Sequence, residues 1–187
     1  MKACVLCPGP SLAGLIGEPI RERYDLIVGV NRAVELLECD YWVALDTRTF
    51  GITNVSGKPI LVTSSVHYRK MCQEWPRARE FEHLDHKTLV QRKLSPGWST
   101  KGLLTAVVLA CAKGATNIDC YGVDWKGTAD FDGKTFPRQK RTRKRWEKET
   151  RRFGQLSQAL AKRGVMVRRV GPTAEAPLRP ARALRPH

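Results

Sequence analysis

The chain repeats one pattern along its length: a short run of apolar, strand-forming residues closes on a polar residue or a tight turn, and a segment with helical spacing follows. Alternating strands and helices predict a mostly parallel sheet covered by helices on both faces, which is an α/β fold. The predicted strands are Ala3–Cys7, Asp25–Asn31, Tyr41–Asp46, Pro59–Ser64, Asn117–Asp124 and Val165–Val170.

Four segments between these strands have helical character, and Ser99 is expected to cap the third of them. Residues 66–95 are mixed and mostly polar, so the pattern assigns no element there. The predicted helices are Leu12–Ile16, Ala33–Leu37, Thr100–Ala112 and a long basic helix over Arg138–Lys162.

The length of 187 residues suits one domain with a full hydrophobic core, predicted over residues 1–170. Residues 171–187 are rich in Pro and Arg and are predicted to be disordered. No stretch is apolar enough to cross a bilayer, and the N-terminus lacks a signal-peptide core. We therefore expect a soluble cytoplasmic protein with no membrane partner.

The cysteines give no sign of a metal or redox centre. Cys4 and Cys7 form a CxxC pair, but the pair lies within a predicted strand and no second Cys or His pair with zinc spacing accompanies it. Reduced thiols in a core are the better interpretation.

Ligands of parallel α/β sheets bind beyond the carboxyl ends of the strands. The residues at which the apolar runs turn polar are therefore the candidate site residues. They are Gly9, Pro10, Ser11, Asn31, Asp46, Ser64 and Asp124.

The first of these strand ends is a tight turn, Gly9-Pro10-Ser11. Pro10 fixes one backbone angle, and Ser11 is expected to cap the helix that follows. Such a turn would leave free N–H groups at a helix N-terminus, where a phosphate can bind. The alternative is a plain strand-to-helix connection.

The formal net charge of +15 points to a polyanionic partner such as nucleic acid, with a solubilising surface as the alternative. The charge is concentrated in the predicted basic helix, where like charges at i,i+4 would repel each other unless a phosphate backbone neutralised them. The predicted nucleic-acid-binding residues are Arg138, Lys140, Arg141, Arg143, Lys144, Arg145 and Lys148.

The order of these motifs resembles a known group of enzymes. Cys7-Pro8-Gly9-Pro10-Ser11-Leu12 and the strands ending at Asn31 and Asp46 are similar to the bacterial family 42 sialyltransferases, and to a related Rossmann-like family that includes 6-hydroxymethylpterin diphosphokinases. Ser99-Thr100-Lys101-Gly102 and Tyr121-Gly122-Val123-Asp124 resemble the second half of both. The resemblance covers about residues 2–170 and implies a single Rossmann-like domain.

The resemblance also implies roles for individual residues. Gly9, Pro10, Ser11 and Asn31 would hold a nucleotide, and Asp124 would face the donor. Asp46 would bind a divalent metal held by a diphosphate. The phosphates or ribose would be flanked by Ser99, Thr100 and Gly102.

One departure concerns the catalytic base. The sialyltransferases use a His after the Gly-x-Asp strand end, whereas here no His occurs between Asp124 and His187. Asp124 and Asp46 are the catalytic candidates, because a carboxylate can take a proton from an attacking hydroxyl. The other candidates are His67, His83 and His86, each of which could equally be a surface residue.

These observations lead to one functional expectation and two alternatives. The expectation is a glycosyltransferase that moves a sugar from a nucleotide sugar to a hydroxyl, such as a 5-hydroxymethylpyrimidine in the DNA of a phage, within the bacterial host cytoplasm. The first alternative is an ATP- and magnesium-dependent diphosphokinase that acts on a small alcohol. The second is a non-catalytic nucleic-acid-binding protein that retains the fold.

Overall fold

A parallel sheet lies at the centre of the computed structural model, which describes residues 1–46, 52, 54–91, 101–125, 129–135 and 142–171. Its strand order is β5-β4-β3-β2-β1-β6-β7, and every neighbouring pair is parallel. The predicted α/β, Rossmann-like class is therefore confirmed. Within the described residues the strands are β1 Lys2–Leu6, β2 Leu26–Val30, β3 Tyr41–Val43, β4 Ile60–Thr63, β5 His83–Asp85, β6 Asn117–Tyr121 and β7 Met166–Arg169.

Helices cover both faces of the sheet. One face packs on α4 and α5, and all residues of α4 from Leu104 to Ala110 are buried. The other face packs on α1, α2 and three short 3-10 helices. The α-helices are α1 Ile20–Arg23, α2 Ser65–Glu74, α3 His86–Gln91, α4 Gly102–Ala112 and α5 Arg143–Ala161, and the 3-10 helices are Pro10–Leu15, Asn31–Glu35 and Pro76–Glu80.

The direction in which the chain adds strands reverses at β1. Strands β2 to β5 lie on one side of β1, and β6 and β7 lie on the other. The connection after β1 leads to one face of the sheet, and the connection after β6 leads through α5 on the opposite face. A crevice opens between such diverging connections, and it is where ligands of open α/β sheets bind.

Several element boundaries differ from the prediction. Strand β6 ends at Tyr121, because Gly122 turns the chain with a φ of +66°. Strand β2 ends at Val30, because Asn31 has a φ of +50° and begins a 3-10 helix. The two short predicted helices, at Leu12–Ile16 and Ala33–Leu37, are 3-10 helices.

The two longer helices also begin later than predicted. Helix α4 begins at Gly102 with Lys101 in the N-cap position, so the prediction that Ser99 caps it is wrong. Helix α5 begins at Arg143, where the side-chain oxygen of Thr142 accepts a hydrogen bond from the N–H of Arg145. Residues 138–141 lie outside the described residues.

The segment 66–95, which the sequence left unassigned, contributes α2, β5 and α3. Strand β5 is only three residues long and half-buried, and Leu84 is its single apolar residue. A strand this short has no periodicity that a sequence could reveal. It nevertheless adds one strand to the sheet, beside β4.

Cys4 and Cys7 are buried free thiols, as the strand interpretation predicted, and they pack on opposite faces of the sheet. Burial raises the pKa of both thiols well above the usual range. Among the described helices, none has the length and apolar character that a membrane span requires. The predicted disordered tail, residues 171–187, lies outside the described residues except for Gly171.

Candidate functional site

A cavity of about 400 Å³ opens at the carboxyl edge of the sheet, where the strand order reverses. Its volume is within the range of small-molecule sites. The walls come from the ends of β1, β2, β3 and β6, the start of α4, residues 129–130 and the first turns of α5. The predicted site residues that line it are Gly9, Pro10, Asn31, Asp46, Gly102, Asp124 and Arg145.

The ends of β1 and β6 are joined closely at the floor of this cavity. The N–H of Gly9 donates to the carbonyl of Gly122 over 3.0 Å. A Cβ at position 122 would lie 1.9 Å from the carbonyl oxygen of Cys7, and the φ of Gly122 is positive. Glycine is therefore required at position 122 for both its conformation and its proximity to β1.

The Gly9-Pro10-Ser11 turn does not present the free N–H groups that the sequence predicted. The N–H of Ser11 donates to Oδ2 of Asp124 over 2.8 Å, and the N–H of Leu12 donates to the carbonyl of Gly9 over 2.9 Å. Gly9, not Ser11, is the N-cap residue. The Asp124 carboxylate thus binds the amide that was expected to hold a phosphate.

The start of α4 is a better anion site. Lys101 occupies the N-cap position, and no described side chain accepts a hydrogen bond from the first N–H groups of the helix. Gly102 and Leu103 line the cavity. A Cβ on Gly102 would lie 2.6 Å from Cγ1 of Val30, so glycine lets α4 begin directly against the end of β2. An uncapped helix N-terminus attracts phosphate through its N–H groups and its dipole.

Two cations lie beside this helix start. The Nζ of Lys101 is 3.5 Å from Oε1 of Glu149, and the Nε of Arg145 is 3.0 Å from the same oxygen. All three side chains line the cavity and are mostly shielded from solvent. Glu149 therefore holds both cations at one wall, where they favour a bound anion.

Asn31 carries an unsatisfied polar group. Its Oδ1 atom is buried and has no hydrogen-bond partner among the described residues. The backbone carbonyl of Asn31 accepts a hydrogen bond from Nε1 of Trp42 over 3.0 Å, which fixes this turn. A buried amide oxygen left unpaired is costly in an apolar setting, and a ligand group that reached it and donated a hydrogen bond would remove that cost.

Besides Glu149, three carboxylates line the cavity: the predicted Asp46 and Asp124, and Asp130, which the sequence did not single out. Asp130 is 3% exposed and lies 3.5 Å from the guanidinium of Arg32, which also pairs with Asp132 over 2.7 Å. The hydrogen bond from Arg32 holds the pKa of Asp132 well below its usual range. The sequence offered little signal, because Asp130 and Asp132 lie in a loop rich in Gly, Asp and Lys and neither residue ends an apolar run.

The metal interpretation of Asp46 has little support from neighbouring ligands. Among the described residues, no three His, Cys, Asp or Glu side chains are grouped so that they could hold a metal ion. A metal at Asp46 would need further ligands from a bound diphosphate.

The candidate histidines lie in other elements: His67 in α2, His83 at the start of β5 and His86 at the start of α3. His83 stacks on Tyr68 with ring centroids 4.1 Å apart. His86 has its Nδ1 atom 3.6 Å from Oδ1 of Asp85, and burial lowers its pKa. Neither these two nor His67 is among the described residues that line the cavity.

The basic helix is less self-repulsive than its sequence suggested. Arg143 pairs with Glu147 over 2.8 Å, and Arg145 pairs with Glu149, each one turn away. Lys144 and Lys148 remain exposed as a like-charged i,i+4 pair. Ser99, Thr100, Arg138, Lys140 and Arg141 lie outside the described residues, so their predicted roles stay predictions.

Comparisons with known proteins give little further information. No family model matches the chain, and no curated protein matches it significantly. Among solved structures, it is similar to thiamine pyrophosphokinase from Bacillus subtilis, with a TM-score of 0.43 and 13% sequence identity. The match covers 92% of this chain and 61% of that protein. The fold class therefore rests on the sheet topology described above, and the function must be inferred from the site.

Proposed function

We propose that the protein is a transferase that binds a nucleotide sugar in the cavity and moves the sugar to a hydroxyl acceptor. One observation carries this proposal: three features converge on one cavity at the reversal of strand order, namely the start of α4 with no described side-chain cap, the cations Lys101 and Arg145, and Asn31 with its unpaired amide oxygen. Such a set of groups suits a ligand with both phosphates and polar hydroxyls.

In this proposal the diphosphate binds at the start of α4. The N–H groups of Gly102 and Leu103 and the ammonium of Lys101 stabilise its negative charge. The same groups stabilise the charge that develops on the leaving nucleotide as its bond to the sugar breaks. The Asn31 amide pairs with a hydroxyl or base edge of the nucleoside.

Asp46 is the proposed base. Asp124 has one carboxylate oxygen bound to the Ser11 amide and holds the β1 turn against β6. Asp46 lines the same cavity at the end of β3. The acceptor oxygen attacks the anomeric carbon, its proton passes to Asp46, and the electron pair of the broken bond leaves with the nucleotide phosphate.

The proposed acceptor is DNA that carries a 5-hydroxymethylpyrimidine. Helix α5 contributes Arg145, Trp146 and Glu149 to the cavity wall and exposes Lys144 and Lys148 beside it. A net charge of +15 favours a polyanion at this surface. The modified base would be extruded from the duplex to reach the cavity.

A second candidate is a diphosphokinase that transfers diphosphate from ATP to a small alcohol. The observation that favours it is the presence of Asp46, Asp124 and Asp130 on one cavity, since carboxylates suit a magnesium ion that arrives with a nucleotide. This candidate requires magnesium for nucleotide binding, whereas the glycosyltransferase with Lys101 and the α4 N-terminus does not.

A thermal-shift screen separates these candidates. The wild-type protein is heated with UDP-glucose, GDP-mannose, CMP-sialic acid and ATP, each with and without magnesium. Ligands that bind the folded state raise the melting temperature, and the stabilisation grows with the logarithm of the ratio of ligand concentration to dissociation constant. Stabilisation by a nucleotide sugar supports the first candidate, and stabilisation by ATP only with magnesium supports the second.

A matched pair of variants tests the site itself. Lys101→Met removes a cation that is paired with Glu149, and Lys70→Met removes one similarly paired with Glu74 on the opposite face of the sheet. The first variant should lose the ligand-induced shift and the second should keep it. An assay for transfer of labelled sugar to hydroxymethylated DNA then tests the activity itself. Salt-sensitive DNA binding without any nucleotide binding would instead favour a non-catalytic nucleic-acid-binding protein.

A further inference from the structure

The strongest conformational outlier of the described chain is Trp125, the residue after Asp124. Its φ is +47°, in the left-handed region that glycine favours and that bulky residues avoid. Residues held in such conformations cluster at binding sites, where the surrounding structure imposes them. A tryptophan retained at this position therefore needs a reason beyond packing.

The surroundings of Trp125 fix its indole at the cavity. The ring makes an edge contact with Phe153 of α5, with centroids 5.3 Å apart, and Phe153 itself is buried. The guanidinium of Arg169 lies 5.4 Å from the indole centroid. Trp125 remains half-buried and lines the cavity. The indole is thus held firmly while part of its surface stays available.

A second indole lines the same cavity. Trp146, in the first turn of α5, is also half-buried, and the guanidinium of Arg145 lies 5.7 Å from its ring centroid. Two indoles and a guanidinium around one cavity form a surface suited to a flat aromatic ring, because stacking and cation–π contacts require no particular hydrogen-bond pattern.

We propose that Trp125, Trp146 and Arg145 form a stacking subsite for a nucleobase at this cavity. The inference deepens the proposed function and rests on it, since it names the part of the ligand that these side chains bind. The base belongs either to the nucleotide donor or to the extruded acceptor nucleotide of DNA. Both sources present the same planar ring, and both bring a phosphate towards Lys101 and the start of α4.

Titrations with and without a base test the subsite and identify the source. The donor arm measures binding of UMP, GMP and ribose 5-phosphate by calorimetry and by quenching of tryptophan fluorescence. The acceptor arm compares a thymidine oligonucleotide with an abasic oligonucleotide of equal length. The variants are Trp146→Leu, Trp125→Gly, which relieves the unfavourable φ and should fold, and Trp125→Phe, which keeps an aromatic ring.

We expect Trp125→Gly and Trp146→Leu to bind the base-containing probe about tenfold more weakly than the wild type does. Trp125→Phe should recover part of this affinity. The affinity for the probe that lacks the base should be unchanged in all three variants. Loss for UMP or GMP identifies the donor base, and loss for the thymidine oligonucleotide alone identifies the acceptor base. Equal binding by wild type and variants in both arms overturns the stacking subsite. It leaves the proposed function standing if ribose 5-phosphate still binds, whereas failure of the wild type to bind any probe overturns both.

Discussion

At the scale of single residues, the site depends on polar groups whose partners are far away in the sequence. Asn31, Asp46 and Asp124 could be predicted to lie at one edge, because the carboxyl ends of parallel strands meet there. The bond from the Ser11 amide to Asp124 could not be predicted, because it joins residues 113 positions apart. That bond decides which N–H groups remain for a ligand.

Asp124 should therefore matter for stability as well as for function. Asp124→Ala leaves the partly buried Ser11 amide without an acceptor and should lower the free energy of unfolding by about 1–3 kcal/mol. Asp124→Asn keeps a side-chain oxygen that can accept this hydrogen bond, so it should lower the free energy of unfolding by less than Asp124→Ala does. Urea denaturation of the three proteins provides the measurement, and equal stability of the alanine variant and the wild type would refute the role of this bond.

At the scale of elements, the sequence predicted every described strand except β5, but it placed the starts of α4 and α5 too early. Continuous apolar runs identify β1, β2, β3 and β4, whereas β5 is too short to have a pattern. The start of α4 was missed by two residues, because Ser99 is a common capping residue and Lys101 is not. The packing of Gly102 on Val30, which sets the start of the helix, is a tertiary contact.

The Gly102 contact gives a prediction at this scale. Gly102→Ala introduces a Cβ that overlaps Val30 and should destabilise the protein by about 1–3 kcal/mol. Combining it with Val30→Ala removes the overlapped methyl group, so the double variant should be more stable than the sum of the single effects predicts. Chemical denaturation of the four proteins in this cycle measures the coupling, and simple additivity would contradict the contact.

The segment 129–135 is joined to the 3-10 helix Asn31–Glu35 by an ion pair that should depend on pH. Arg32 lowers the pKa of Asp132 in the folded protein, so the pair stabilises the fold fully above the unfolded pKa of about 4 and progressively less as the pH falls further. The stability difference between wild type and Asp132→Asn should therefore shrink as the pH is lowered from about 5 to 2.

Denaturation at a series of pH values measures this difference. Glu18→Gln serves as a control, because it removes an ion pair with Arg23 in which both side chains are well exposed. Exposed ion pairs contribute little to stability, so this variant should have nearly the same free energy of unfolding as the wild type at every pH. If the difference in free energy of unfolding between the wild type and Asp132→Asn stayed constant across this pH range, Arg32 would not be holding Asp132 in its ionised form.

At the scale of the whole molecule, the composition predicted a strongly basic protein but did not show which part of its surface would bind a polyanion. In the structure, Glu147 and Glu149 neutralise part of α5, and Lys144 and Lys148 remain as its exposed i,i+4 pair. The proposed DNA surface is therefore narrower than the predicted run of basic residues, of which Arg138, Lys140 and Arg141 lie outside the described part.

Salt dependence tests this surface. Each phosphate contact contributes about 0.9 to the steepness with which the logarithm of the DNA-binding constant falls against the logarithm of the salt concentration. If Lys144 and Lys148 each contact a phosphate, replacing both by Gln should therefore reduce this steepness for duplex DNA by about 1.8. Lys58→Gln with Lys70→Gln, which removes the same charge away from α5, should leave the slope unchanged. Equal slopes for both double variants would remove α5 from the proposed interface.

The most direct test of the central claim is calorimetric titration of nucleotide sugars into wild type and Asn31→Gly. Glycine tolerates the positive φ of Asn31 and removes only the side-chain amide with its unpaired Oδ1, so the fold should be retained. We predict that one of the nucleotide sugars binds the wild type at a single site and binds the variant about tenfold more weakly, as expected for a lost buried hydrogen bond. Equal affinities, or no binding to the wild type by any nucleotide sugar tested, would contradict the assignment of this cavity as the donor site.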